Sequence, residues 1–552
     1  MRLMFLDTPV RPQRSTLTLV AVSSVWMAVL GNWALWKTLM TLPDLTGWHG
    51  LGFGVAFAFI IANVVAAVLS LFAWRFTLKP AITLLLLLTA LATHYMLMYG
   101  IVVDTPMLIN VLQTDTREAR DQLSWRLLIT VLILAVLPIV WLWRQPAIAI
   151  PFGKQVLRNV GLLVASLALA FGATQLVFQD FSSLMRNYTE MRYQINPLNS
   201  IYAVLDMTVI PAEQPRGPLQ SLGLDAHIGQ RAGQVPQRPP LLVFVLGETA
   251  RSASFSLNGY TRSTNPLLAK ENVASFTHVS SCGTSTAESL PCMFSHLGRS
   301  AFDKRSNEFE NMLDVLQHAG YAVLWIDNQS GCKGQCARVP YVNTSDLKLP
   351  EYCEDGECRD TVMIARIEAE LSKLPAERRA RGTVVVMHQM GSHGPAYFKR
   401  SPAAFKKFTP ECTDTSLSQC DREQIVNAYD NTLVFTDYFL SRVIGWLKTQ
   451  DKTSTPAMLY VSDHGESLGE KNMYLHGLPY SVAPPEQTTV PLVAWLSPSF
   501  EQLSRVNTRC LQANRDKPLS HDNLFHSVLG LMAVKTAAYQ RERDFFAACE
   551  GR

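Results

Sequence analysis

The chain has 552 residues, 48% of them hydrophobic and only 17% charged, with a mean hydropathy of +0.10. An ordinary globular chain carries roughly 25% charged residues, so the apolar excess calls for a membrane portion beside a globular one, and bulk disorder is excluded. A formal net charge of +4, dispersed along the chain, is too small to argue for a nucleic-acid partner.

Residues 15–36, 48–74, 80–103, 127–143 and 159–178 lack Asp, Glu, Lys and Arg. Each stretch, the fourth being slightly short, suits a helix crossing a hydrocarbon core of roughly 30 Å. The first exceeds the roughly 7–15 apolar residues of a signal peptide and reads as a retained anchor. Arg2, Arg11 and Arg14 precede the first stretch, Arg75 and Lys79 separate the second from the third, and Arg144, Lys154 and Arg158 separate the fourth from the fifth. These mark cytoplasmic loops by the positive-inside rule. Five spans then put the amino terminus in the cytoplasm and everything after 180 in the periplasm of a bacterial inner membrane. Residues 1–180 are thus expected to form a five-helix transmembrane domain. In its 104–126 loop, Asn110, Thr114 and Glu118 fall at i, i+4, i+8, one helical face that by spacing alone reads as solvated.

Residues 181–207 interleave Met, Tyr and Ile with charges, the pattern of amphipathic helices lying at the interface. Residues 211–240, rich in Pro, Gly and Gln, read as a linker, so 181–240 joins the two halves. From 241 to 552, short apolar runs at 241–247, 321–326, 383–387, 457–461 and 490–495 alternate with helical patterns at 311–319, 361–374 and 425–448. This predicts an α/β domain with a largely parallel sheet. Glu248, Asp327 with Asn328, His388 with His393, and Asp463 with His464 follow the first four runs, and ligands of such sheets bind beyond the carboxyl ends of strands. All ten cysteines lie from Cys282 onward. Four close pairs, Cys282/Cys292, Cys332/Cys336, Cys353/Cys358 and Cys412/Cys420, with Cys510 and Cys549 left over, point to disulfides in an oxidising compartment. A zinc cluster at Cys332, Cys336, Cys353 and Cys358 is the rival reading, and those spacings are not tight knuckles.

Asp463-His464-Gly465 offers a carboxylate and an imidazole on a tight turn, and Glu248 adds a second carboxylate. Such mixed donors suit Zn²⁺, and three protein ligands leave room for a reacting group. A hydroxyl at that open position becomes a nucleophile. Thr284, Ser285 and Thr286 all qualify, and spacing does not choose among them; each also qualifies as a helix N-cap.

Five motifs, in order, carry a resemblance. Gly247-Glu248-Thr249-Ala250-Arg251 with Asn258-Gly259-Tyr260, and Cys282-Gly283-Thr284-Ser285-Thr286-Ala287 with Pro291-Cys292-Met293-Phe294, come first. Gly391-Ser392-His393-Gly394-Pro395, the run Ser462-Asp463-His464-Gly465-Glu466-Ser467-Leu468-Gly469-Glu470, and Tyr474-Leu475-His476-Gly477 follow. The whole chain resembles the lipid A phosphoethanolamine transferases, the group that includes the mobile colistin resistance enzymes. The resemblance implies an alkaline-phosphatase/sulfatase-like periplasmic domain with Glu248, Thr286, Asp463 and His464 as zinc ligands and Thr286 as nucleophile. It implies that His393, His476 and Lys333 surround the phosphoethanolamine group, and that Asn110, Thr114 and Glu118 bind lipid near the membrane surface, against the reading from spacing. The implied reaction moves phosphoethanolamine from phosphatidylethanolamine to a lipid A phosphate and lowers susceptibility to polymyxin. Transfer to a core sugar or a protein, and a related glycerol-phosphate transferase, are the alternatives. Some family members carry Asn where this chain has Gln329, which is left out of the site. Others carry fewer cysteines, so the resemblance secures Cys282–Cys292 more firmly than the Cys332–Cys336 or Cys510–Cys549 pairing.

Overall fold

The computed structural model describes residues 15–42, 45, 47–114, 119–120, 122–146, 150–208, 217–229, 238–344, 349–354 and 357–551. Two compact units emerge: Met1–Thr105 with Leu123–Val209, and Pro106–Gln122 with Ile210–Arg552.

The first unit is helical. Helices α1 (Thr16–Val29), α2 (Trp33–Leu39), α3 (Gly47–Leu71) and α4 (Leu78–Tyr99) precede α5 (Thr105–Gln113), whose residues from Pro106 group with the second unit. Helices α6 (Trp125–Trp143), α7 (Phe152–Leu176), α8 (Phe178–Asn187) and α9 (Leu198–Thr208) follow. Among the described residues, α3, α4, α6 and α7 are long and apolar enough to cross a membrane, and α1 with α2 meets that test as a pair bent by 46°. The bend lies inside the first apolar stretch and has a local cause. Asn32 turns its side chain inward, donating Nδ2 to Met27 O at 2.9 Å and to Asn196 O at 2.7 Å while Oδ1 accepts from Asn196 N at 2.8 Å. At Gly31 a Cβ would stand 2.3 Å from Thr89 Cγ2, so the break is also a close approach to α4. In α6 a π-helical turn, Leu132–Val136, runs into Pro138. Proline lacks the N–H that would continue the regular ladder. The amphipathic segment buries its apolar face in this same unit: Leu184 and Met191 join Phe57, Leu69 and Ile82 in one core.

The second unit is built on an eight-stranded sheet. Its strands in chain order are β1 (Pro240–Gly247), β2 (Val273–Ser280), β3 (Ala322–Asp327), β4 (Tyr341–Asn343), β5 (Thr383–His388), β6 (Thr455–Ser462), β7 (Thr489–Leu496) and β8 (Leu519–Ser520). They lie in the spatial order β8-β2-β7-β6-β1-β5-β3-β4. Every adjacent pair is parallel except those of β7 with β6 and β2. The five expected strands and three expected helices all form, the helices as α11 (Met312–His318), α12 (Val362–Lys373) and α13 (Arg422–Gln450), after α10 (Thr286–Met293). Central β1, β5 and β6 are buried at every position, as continuous apolar runs covered on both faces must be.

The segment read as a linker is partly docked. Gly217–Gln220 pairs with Asn307–Phe309, and His227–Ile228 pairs with Val534–Lys535. Strands this short and this exposed leave no periodic signature. All ten cysteines are joined, as Cys282–Cys292, Cys332–Cys336, Cys353–Cys358, Cys412–Cys420 and Cys510–Cys549. A cysteine zinc cluster is thereby ruled out.

Candidate active site

The carboxyl ends of neighbouring strands β1 and β6 deliver Glu248 and then Asp463 with His464. Their ligand atoms all lie within 4.8 Å of one another, and all three residues are buried. His464 Nε2 stands 3.4 Å from both Glu248 Oε1 and Asp463 Oδ2. The fourth member comes from the first turn of α10: Thr286 Oγ1 lies 3.1 Å from Glu248 Oε2 and 3.4 Å from His464 Nε2. The neighbouring hydroxyls are placed differently. Thr284 Oγ1 donates to Leu478 O at 2.7 Å, and Ser285 Oγ, the N-cap residue's, is buried without a hydrogen bond. Geometry thus separates the three hydroxyls that spacing left equivalent.

Three observations fit this cluster to a divalent cation. Separations of 3.1–3.4 Å match the edges of a tetrahedron of donors at about 2.0–2.1 Å from a central ion. His464 Nδ1 faces the Gly465 carbonyl at 3.0 Å; a carbonyl only accepts, so Nδ1 carries the proton and Nε2 keeps its lone pair for a ligand. Asp463 Oδ1 accepts from Thr249 N and His464 N at 3.1 and 2.8 Å, whereas Oδ2 is buried and makes no hydrogen bond, an expensive arrangement without a cation beside it. Charge tells the same story. Burial and the neighbouring Glu248 push Asp463 up to about 6, while burial acting on Glu248 is outweighed by His464, which holds that carboxyl well below its usual range. Two enclosed carboxylates call for positive charge between them.

Further side chains fix the frame. Thr249, a β-branched residue at φ 59°, is held in that rare conformation by Tyr429 OH, which donates to its carbonyl at 2.8 Å, and its own hydroxyl donates to Glu248 Oε1 at 2.5 Å. Such strain is sustained only where the surroundings over-determine it. His476 packs on His464 with ring centroids 4.2 Å apart, and His393 packs on His476 at 5.7 Å. One edge of His476 is set by Glu466, whose Oε2 lies 2.8 Å from Nδ1. Glu466 also receives Tyr397 OH, and burial pushes its carboxyl up to about 8.

Thr286, His393 and His476 therefore gather with the three carboxylate and imidazole donors, while the hydrogen bonds of Lys333 run to other partners. Its Nζ donates to Ser330 Oγ at 3.1 Å and to Gln113 O at 3.2 Å. Thr114 Oγ1 donates to Asn110 O at 2.8 Å, one helical turn back, and Glu118 lies outside the described residues. Sequence reasoning assigned no role to Glu466, although its position in the Asp463-His464-Gly465-Glu466 run was a signal. It also missed His521, which carried none: its Nδ1 accepts from Cys282 N at 3.1 Å and its Nε2 donates to Ser462 O at 3.0 Å.

Residues 61–210 match the family described as phosphoethanolamine transferase EptA/EptB, and residues 240–534 match the sulfatase family. The chain is 37% identical to phosphoethanolamine transferase EptA of Escherichia coli K12, over 98% of each chain. It is 36% identical to phosphatidylethanolamine transferase Mcr-1 of Escherichia coli, covering 96% of this chain and 97% of that one. Its fold is similar to that of the integral membrane lipooligosaccharide phosphoethanolamine transferase A of Neisseria meningitidis, with a TM-score of 0.92 at 34% identity over 98% and 100% of the two chains. A buried donor set under a threonine hydroxyl, on a sulfatase-type sheet joined to apolar helices, accords with these likenesses: the chain belongs to the phosphoethanolamine transferase family of EptA and the Mcr enzymes.

Proposed function

We propose that this chain transfers phosphoethanolamine from phosphatidylethanolamine to a phosphate of lipid A, using zinc and a covalent adduct on Thr286. One observation carries the reading: the Thr286 hydroxyl meets Glu248 and His464 at 3.1–3.4 Å beside an Asp463 oxygen without a hydrogen bond. In this reading α1 with α2 counts as one of five spans, the amino terminus is cytoplasmic, and 241–552 is the periplasmic catalytic domain joined through 181–240 to the inner-membrane domain of 1–180.

Zinc held by Glu248, Thr286, Asp463 and His464 supplies positive charge that eases loss of a hydroxyl proton and offsets charge on the transferring phosphoryl group. The Thr286 hydroxyl donates to Glu248 Oε2, which takes the proton as Oγ1 attacks the donor phosphorus. The bond from phosphorus to the diacylglycerol oxygen breaks, and that oxygen takes a proton from His393 or His476. Phosphoethanolamine remains on Thr286. An acceptor phosphate hydroxyl then gives its proton to the same histidine and attacks the adduct, and the Thr286 oxygen leaves and recovers its proton from Glu248. Glu466 orients His476 for this exchange. Lys333 binds the phosphate charge, while Asn110, Thr114 and Glu118 hold the lipid donor. The product surface is less anionic, so polymyxin binds it less.

Purified full-length protein incubated with phosphatidylethanolamine and no acceptor should carry a phosphoethanolamine mass on the peptide containing Thr286. Cells expressing it should show modified lipid A by mass spectrometry. Full transfer by Thr286→Ala protein, with no adduct in the wild type, would exclude the covalent route.

A further inference from the structure

His476 is carried just beyond a two-residue strand, Tyr474–Leu475, on a strained loop. Leu475, before it, has φ 64°, and Gly477, after it, has φ 87°. A bulky side chain in the left-handed region persists only where its surroundings over-determine it. The imidazole on this loop packs against His464 with ring centroids 4.2 Å apart. The register of the loop therefore sets where His476 stands against the donor set.

Gln487 supplies that constraint. It lies in the short helical turn Pro485–Thr488 that leads into β7, and it is fully buried. Its Nε2 donates to Leu475 O at 3.1 Å and to Ser467 Oγ at 2.9 Å, and its Oε1 accepts from Leu478 N at 3.3 Å. A carbonyl only accepts and a peptide N–H only donates, so these partners fix which way the amide faces. The Gln487 carbonyl in turn accepts from Gly465 N, next to His464, at 2.9 Å. One buried residue thus brackets His476 with its side chain and holds the turn after His464 with its backbone. The loop is tied a second time on its far side: Gly477 N donates to Thr284 O at 2.9 Å, and Thr284 Oγ1 donates to Leu478 O at 2.7 Å. Directed bonds of this kind specify a position, which apolar packing alone does not.

We propose that Gln487 is a positioning residue that registers His476 against His464 and acts through His476. Its kinetic consequence rests on the transfer reading above, whereas the placement can be measured without turnover.

The test uses full-length protein in detergent carrying Gln487→Met, which nearly keeps the volume and removes the amide. Gln487→Met should lower kcat roughly 100-fold, the scale of a misplacement of about 1 Å, with donor KM within about twofold. On a His476→Ala background the same change should cost less than about threefold, because its partner is already gone. An equal loss on both backgrounds would show that Gln487 acts elsewhere and overturn the proposal, as would wild-type kcat in Gln487→Met. Placement is read by diethylpyrocarbonate labelling and peptide mass spectrometry. His476 should label roughly tenfold faster in Gln487→Met, the effect of one hydrogen bond lost from a closed loop, with the buried His526 unchanged. Unchanged labelling of His476 would refute the placement, and faster labelling of both histidines would mark general loosening and refute it too. Ser467→Ala removes one anchor and keeps the test decisive where Gln487→Met does not fold: His476 alone should again label faster, and a wild-type pattern would refute the proposal. A wild type that transfers nothing would remove the transferase reading, and the labelling would then decide by itself whether Gln487 places His476.

Discussion

Gly465, between His464 and Glu466, is set by space rather than by backbone conformation, and replacing it with alanine should disable the site. Its φ is not in the left-handed region. A Cβ there would stand 2.1 Å from the carbonyl oxygen of Glu486, whereas ordinary contact begins near 3.4 Å. The obstacle is backbone, locked by Gly465 N donating to Gln487 O at 2.9 Å and Glu466 N to Glu486 O at 2.7 Å. The two segments must therefore part by roughly 1 Å. Forcing a methyl into a packed site of this kind costs about 1–3 kcal/mol of stability. The larger effect is on the centre, because the displaced residue adjoins His464, and a misplacement of about 1 Å typically costs on the order of 100-fold in rate. Gly445 is the control: it lies in α13 with nothing within 4 Å of where a Cβ would stand, so Gly445→Ala should be neutral or stabilise by up to about 1 kcal/mol. Both variants are compared by thermal melting, by zinc content after dialysis, and by turnover. A Gly465→Ala protein with wild-type zinc content and turnover would refute the reasoning.

Thr286→Ala should abolish transfer and the adduct while melting as wild type, whereas Asp463→Ala should also lower bound zinc, measured by elemental mass spectrometry. Cys282 and Cys292, ten residues apart, close the loop that carries Thr286; replacing both with Ser should lower unfolding free energy by about 2–3 kcal/mol, and denaturant titration that finds no change would argue against the restraint. Burial pushes Asp430 up to about 6 from 3.8 despite Arg262, so the folded state retains its proton over that interval. Its contribution to stability is greatest below about pH 4 and declines as pH rises through 6. Asp430→Asn should accordingly gain on wild type across that window in pH-dependent melts, and a difference independent of pH would contradict this.

Patterns that repeat along the chain were readable, and contacts made across it were not. The runs that became β1, β5 and β6 are continuous and apolar because helices cover both faces, so residues 241–247, 383–387 and 457–461 marked themselves. Strand β2 did not, since Ser275, Thr277, His278 and Ser280 interrupt its apolar positions while it pairs along β7. The ligand set was approachable because Asp463 and His464 are adjacent and Glu248 ends a strand. The hydroxyl was not, because Thr284, Ser285 and Thr286 differ only in where the turn before α10 points them. The bend at Asn32 was hidden for a similar reason: it depends on Asn196, whose backbone receives the side chain.

His521 is the plainest case of a residue that only the fold can identify. It sits in the turn after β8, far in sequence from the motifs, yet it ties three of their elements together. Nδ1 accepts from Cys282 N at 3.1 Å, ahead of the nucleophile, and Nε2 donates to Ser462 O at 3.0 Å, ahead of Asp463. Ser289 of α10, 3.3 Å from Nδ1, donates to Asp463 O at 2.6 Å. Both ring nitrogens are used only by the neutral form, and burial drives the imidazole down to about 3, so it remains neutral at working pH. Its role is positioning: it sets the distance between the Thr286 turn and the Asp463 strand. His521→Ala should leave Cys282 N and Ser462 O buried without partners, at about 1–3 kcal/mol of stability. It should also lower kcat more than donor KM, since binding surfaces are untouched while the hydroxyl is misaligned. His521→Gln offers one acceptor and one donor and should recover part of both. Wild-type melting and kcat in His521→Ala, or no recovery with Gln, would show that the two segments hold their spacing without it.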